Sequence, residues 1–159
     1  MNKAFTRETD DAPTAQQEER PVSSALNLVT PRGAQLIKDQ ITAIENKLAA
    51  EVDPVIKSGL RRDLRYWLAR HSSMQVVAPK GDTDTVGFGS RVTIRRGGSE
   101  VTVSIVGEDE SDPKAGLISW TAPLARALDG AKVGEEVDIE AGRDEIVTIL
   151  AISGNEDKS

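Results

Sequence analysis

The sequence has no cysteine, one histidine and only five aromatic residues, two Trp, two Phe and one Tyr, among 159. Without cysteine there is no disulfide, no thiolate zinc site and no cysteine nucleophile. With His71 as the single imidazole, a Ser-His or Cys-His catalytic unit has no second line of support. Its place near the end of a predicted helix suits an exposed or capping side chain. Any core must be aliphatic, filled by Val, Ile, Leu and Ala. No apolar run approaches the length of a membrane span. The first 20 residues lack the apolar stretch of a secretory signal. The expectation is a cytoplasmic protein without membrane contact, cofactor or bound metal.

Charge is unevenly spread within a net −6. Residues 1–27 hold three basic and five acidic side chains, residues 28–77 eight and five, and residues 78–159 nine and sixteen. The acidic C-terminal half argues against that half gripping DNA or RNA, because neutralising phosphates needs the opposite sign. It suits a protein partner with a basic face.

Four segments follow from the patterning. Residues 1–27 are polar and nearly free of large apolar side chains, so they read as a disordered tail, with an interaction arm as the alternative. Residues 28–77 read as an antiparallel helical hairpin. Thr30 and Pro31 are a helix cap and first position, and Ile37, Ile41, Ile44 and Leu48 then recur at steps of four, three and four. Glu51-Val52-Asp53-Pro54 breaks the run, and Asp53-Pro54 starts a second helix. That helix carries Ile56, Leu60, Leu64, Trp67 and Leu68 on one face, with Arg61, Arg62 and Arg65 largely off it. Two helices of about 20 residues are each about 30 Å long.

Residues 78–153 switch to a period of two. Val92 and Ile94 belong to one strand, and Val101, Val103 and Ile105 to the next, with the turn Arg96-Gly97-Gly98-Ser99 between them. Leu117–Trp120 reads as a third strand and Pro123–Leu128 as a short helix ended by Asp129-Gly130. Val137–Ile139 and Ile146–Ile152 are further strands, separated by a turn at Gly142. The class is α+β, a small antiparallel sheet with one short helix packed on it. Residues 154–159 are a polar tail.

Several constellations invite a chemical reading. Glu108-Asp109-Glu110 with Asp112 is acidic enough for a cation but lacks the spacing of an EF-hand loop, so a solvated loop is the plain reading. Gly87-Phe88-Gly89 is half of a dinucleotide fingerprint, yet it precedes a strand rather than a helix. Glu51 and Asp53 sit at the hairpin turn. As caps they are explained. As a carboxylate pair on a projecting tip, they could help hold a Mg²⁺ ion or orient a water in a partner's site for phosphodiester hydrolysis.

The stretch Val86-Gly87-Phe88-Gly89-Ser90-Arg91-Val92 resembles the beginning of the C-terminal domain of the Gre transcript-cleavage/elongation factor family (GreA/GreB). So does the longer series Ile105–Asp112, Gly116–Ser119 and Pro123–Leu128, continuing into Gly130 and Lys132–Glu135. Leu28–Ala34 is similar to the start of the family's first helix. The resemblance implies a C-terminal domain with the fold of FK506-binding proteins. It implies docking on the rim of the RNA polymerase secondary channel while the coiled coil enters the channel, with DNA and RNA met only indirectly. The docking turn would be Trp120, Thr121, Ala122 and Pro123. Family members usually carry Ser before that proline, preceded by Asn or Asp, where this chain has Thr121-Ala122. Cleavage-stimulating members have longer arms with an acidic tip in an Asp-Leu-x-Glu-Asn-Ala-Glu-Tyr setting, which this chain lacks. Arms shorter by about 12 residues lose about 18 Å of reach, as in Rnk-type relatives.

Three functions compete. The first is a monomeric polymerase-binding elongation regulator without strong transcript-cleavage activity and with no chemistry of its own. The second is a cleavage factor in which Glu51 and Asp53 assist the polymerase Mg²⁺ site. The third, a peptidyl-prolyl isomerase, follows from fold analogy alone. It has only Phe88 and Trp120 to line an aromatic pocket.

Overall fold

The computed structural model describes residues 18–78, 84–139 and 145–154. The expected turn at Gly142, most of the expected tail and residues 155–159 lie outside the described residues. The chain divides into two units, Met1–Ser24 with Ile37–Ser73, and Ala25–Leu36 with Met74–Ser159.

The first unit holds the helical hairpin from Ile37 onward. Helix α1 spans Pro31–Ala50 and α2 spans Pro54–Ser73, 20 residues each, the lengths expected from the apolar period. Each begins at a proline, whose fixed φ suits the first helical position. Asp53 caps α2, its Oδ1 accepting from the Val55 amide at 2.9 Å. Along α1, Ile37 and Ile44 are buried, and Ile41 and Leu48 are half-buried. On α2 the expected face frays at both ends. Leu60, Leu64 and Trp67 are half-buried, while Ile56 and Leu68 are exposed. Among the described residues, no helix is long and apolar enough to cross a membrane.

The second unit holds two sheets. Leu28–Val29 (β1) pairs in parallel with Gln75–Val76 (β2), a pair that two-residue stretches do not announce. The main sheet comprises β3 (Ser90–Arg96), β4 (Ser99–Val106), β5 (Leu117–Ser119), β6 (Glu136–Ile139) and β7 (Glu145–Gly154), in the order β5-β4-β3-β7-β6. All neighbours are antiparallel except β4 and β5. The parallel pair needs a crossover connection, and residues 107–116 supply it through two 3-10 turns, Glu108–Glu110 and Pro113–Ala115. Gly97 and Gly98 both take positive φ, 58° and 86°, which a two-residue turn matched to the strand twist requires.

One face of the sheet makes the core. Val92 and Ile94, Val103 and Ile105, Val147 and Ile149, Ile118 and Ile139 are buried there. Helix α3 (Pro123–Leu128) lays Ala125 and Leu128 on that face. Burial of each large aliphatic side chain contributes about 1.5–3 kcal/mol. Register along β7 slips between the Thr93–Ala151 and Ile94–Ile149 pairs, leaving Leu150 as the extra residue of a bulge. The slip lets Val147, Ile149 and then Ile152 all pack toward the core, although their spacing changes from two to three.

Candidate functional site

The turn between β5 and α3 is built by hydrogen bonds that local sequence chemistry makes available. Trp120 donates its amide to the Val106 carbonyl at 2.9 Å, which holds the turn to β4. Ala122 donates to the Ser119 carbonyl at 2.9 Å, and the Thr121 amide donates to Ser119 Oγ at 3.1 Å. The two hydroxyls, Ser119 Oγ and Thr121 Oγ1, lie 2.7 Å apart. Thr121 Oγ1 also donates to Glu108 Oε2 at 3.4 Å. A serine before Pro123 would have capped the helix, but Ala122 makes no side-chain cap bond. Ser119 and Thr121, three residues and one residue earlier, hold the turn in its place. Pro123 is exposed at the first helical position.

Beside this turn lies a groove of about 380 Å³, lined among the described residues by Leu28, Phe88, Ile105, Trp120, Ala125, Arg126 and Asp129. Its floor is apolar and its rim carries one charge of each sign. Trp120 Nε1 is buried and has no hydrogen-bond partner among the described residues. Phe88 and Trp120, the two aromatics of this domain, thus come together. Leu28, far away in sequence, was not foreseen there. A second hollow beside α3 is lined among the described residues by Pro123, Arg126, Ala127 and Asp138.

Glu108-Asp109-Glu110 is not a solvated loop. It forms a 3-10 turn in which Glu110 is 5% exposed and Glu108 and Asp109 are half-buried. Glu110 Oε1 accepts a 2.6 Å hydrogen bond from Thr30 Oγ1, and its Oε2 lies 3.5 Å from Arg32. Thr30 Oγ1 in turn accepts the Gly33 amide at 2.9 Å, the cap expected at the start of α1. Burial of the carboxylate is thus compensated by a hydroxyl and a guanidinium. A side chain at Gly33 would meet Glu110 Oε1 at 2.9 Å. One at Gly107 would overlap the Leu28 carbonyl. The 108–110 turn therefore touches the 119–121 turn through Glu108 and the start of α1 through Glu110. Among the described residues no group of three His, Cys, Asp or Glu is placed to hold a metal ion.

Glu51 and Asp53 stand together at the turn between α1 and α2. Glu51 Oε2 accepts from the amides of Val52 at 3.2 Å and Asp53 at 3.0 Å. Each carboxylate therefore spends one oxygen on the backbone, and its other oxygen has no hydrogen-bond partner among the described residues. Val52, between them, and Val55, in the first turn of α2, are 87% and 70% exposed. That apolar tip has no counterpart in the expectations, since β-branched residues in a helical pattern read as core. His71 is exposed. Gly87-Phe88-Gly89 makes a tight turn into β3, in which Ser90 Oγ accepts the Gly87 amide at 2.9 Å.

Residues 80–154 match the family model for the C-terminal domain of the transcription elongation factors GreA and GreB. The chain is 36% identical over 146 residues to transcription elongation factor GreB of Neisseria meningitidis serogroup A, covering 76% of this chain and 90% of that protein. It is 43% identical over 141 residues to transcription elongation factor GreA of Nitratiruptor, covering 74% of this chain and 86% of that protein. The crystal structure of GreA factor homolog 1 of Thermus thermophilus aligns with 82% of this chain and all of its own, at 17% identity and a TM-score of 0.40. A relative above 30% identity matched over nine-tenths of its length, together with the family's C-terminal domain, places the chain among its kin: it belongs to the GreA/GreB transcription elongation factor family.

Proposed function

We propose that this chain is a transcription elongation regulator that binds RNA polymerase at its secondary channel and does not itself drive strong transcript cleavage. The observation that carries this reading is the hairpin tip. Both carboxylates serve as backbone caps on arms of 20 residues, and one exposed valine, Val52, stands between them. The matched relatives support short arms. The 146 aligned positions with the Neisseria protein draw on 76% of 159 residues, about 121, so about 25 positions of that protein have no counterpart here. Two arms each short by about 12 residues would use up such a difference and withdraw the tip by about 18 Å. The docking surface in this reading is the turn Trp120–Pro123 with the adjoining groove. Its apolar floor and charged rim suit a protein side chain better than a nucleic acid.

Binding to core RNA polymerase tests the reading. Pull-down with this chain should retain core enzyme, and retention should fall when Pro123 and Thr121 are replaced together by Ala and Val. Absence of any retention would sink it. The free carboxylate oxygens of Glu51 and Asp53 support the second reading, a cleavage factor. Stalled elongation complexes decide between the two. Short 3′ RNA fragments that appear with this chain and vanish with Glu51→Ala/Asp53→Ala establish cleavage, and their absence supports a regulator that works by occupancy.

A further inference from the structure

Residues 18–24 form neither helix nor strand, yet two consecutive side chains seat them on α2. Glu19 meets the Arg65 guanidinium at two points, Nε to Oε1 at 2.8 Å and Nη2 to Oε2 at 2.6 Å. Arg20 lies 3.5 Å from Asp63. Its guanidinium also sits 4.0 Å from the Tyr66 ring centre and 5.7 Å from that of Trp67. The two rings are themselves packed edge to face, 5.1 Å apart. Arg62 steadies Asp63 from the side at 2.9 Å. Arg65 thus seats Glu19, while Asp63 with the Tyr66 and Trp67 rings seats Arg20.

The one large aliphatic side chain of this strap, residues 18–24, is Val22. Val22 is 49% exposed, and the Glu19–Arg65 pair is more than half exposed on both sides. Exposed ion pairs and cation–π contacts are individually weak and compete with water and salt. Charge complementarity and tethering hold the strap in place, the tether keeping its local concentration high. A contact of that kind is readily exchanged for an equivalent one.

We propose that the Asp63–Trp67 face of α2 is a peptide-docking surface, which the chain's own Glu19-Arg20 occupies until an extended segment of a partner protein displaces it. The partner segment would carry a carboxylate followed by a guanidinium or ammonium. Nucleic acid fits less well, because Asp63 repels phosphate and the second seat is filled by a cation rather than a base. This inference is independent of the polymerase-binding reading, since it uses none of the docking turn or the tip.

The test uses the full chain and, as probe, a fluorescein-labelled peptide with the sequence of residues 15–24. In the Glu19→Ala/Arg20→Ala variant the tethered strap is removed, and the free peptide should bind at least about fivefold tighter than to the unmodified chain, as expected if the strap fills the face about four-fifths of the time. Adding Arg65→Glu should abolish the gain. Circular dichroism of all three proteins should coincide, since the altered side chains are at the surface. Equal peptide binding by the unmodified chain and the double variant overturns the proposal, as does no binding by either. A gain seen only for a single-stranded RNA decamer, and not for the peptide, overturns it as well.

Discussion

Replacing Thr30 by Val isolates the link between the start of α1 and the buried carboxylate of Glu110. Valine is nearly isosteric with threonine and removes only the hydroxyl. Two bonds go with it: the cap to the Gly33 amide at 2.9 Å and the donation to Glu110 Oε1 at 2.6 Å. Loss of a cap costs about 1 kcal/mol. Loss of a hydrogen bond to a buried charged group costs about 1.5–3 kcal/mol, because the carboxylate keeps only the 3.5 Å contact to a largely exposed Arg32. The two losses share one hydroxyl, so the expected destabilisation is about 2–4 kcal/mol. Thr30→Ser keeps both bonds and should lose less than about 1 kcal/mol, the value of a methyl group. Urea unfolding followed by Trp fluorescence and far-UV circular dichroism reads these values. At a slope of about 2 kcal/mol per molar urea, the Val variant should unfold about 1–2 M earlier. A cycle with Glu110→Gln separates the two contributions. In that background the hydroxyl meets at most a neutral amide oxygen in place of a buried charge, so the penalty of Thr30→Val should shrink by about 1 kcal/mol. A Val variant within about 0.5 kcal/mol of the parent, or a penalty undiminished in the Glu110→Gln background, refutes the reasoning.

Three further outcomes are expected. Gly107→Ala should destabilise the second unit by about 1–3 kcal/mol or dislodge β1, because its methyl would overlap the Leu28 carbonyl; equilibrium unfolding and amide exchange at Val29 and Val77 check this. Asp53→Ala should cost about 1 kcal/mol through the lost cap on α2, whereas Asp53→Asn should be nearly neutral, both read from thermal melts at 222 nm. The Glu19 carboxyl is held below its usual range chiefly by the hydrogen bond from Arg65, which outweighs the opposing effect of desolvation, with the nearby charges of Arg65 and then Arg62 adding to it. A depressed value in the seated state means that the strap contact is fully present above the ordinary carboxylate pKa of 4.5 and is lost as pH falls through the lowered one. Glu19 and Arg65 side-chain resonances should therefore show release of the strap only in acid, and release between pH 6 and 8 would contradict the assignment.

Elements whose signals are local were legible in the sequence. Thr30-Pro31 and Asp53-Pro54 announce two helix starts because a capping oxygen and a fixed φ act within three residues. Arg96-Gly97-Gly98-Ser99 announces a hairpin because only glycine tolerates two successive positive φ values. The GreA/GreB resemblance from Val86 to Glu135 was carried by ordered spacing of such local features, and the fold follows it. Glu51 and Asp53 could likewise be read as caps without any coordinates.

What the sequence could not decide depends on residues brought together from far apart. Glu108-Asp109-Glu110 looks like a solvated loop in one dimension. Burial of Glu110 arises because Thr30, 80 positions away, supplies a hydroxyl that offsets desolvation. The parallel pairing of β4 with β5 and of β1 with β2 leaves no periodic trace, since two or three residues cannot display a period. Leu28 joins Phe88 and Trp120 in the groove only once β1 has crossed over Gly107, and Glu19-Arg20 finds its seat only on a folded α2. Caps, turns and periods are interactions within one turn of chain, and the residue string contains them. Compensated burial, grooves and straps are interactions across the fold, and they exist only where the tertiary structure closes the distance.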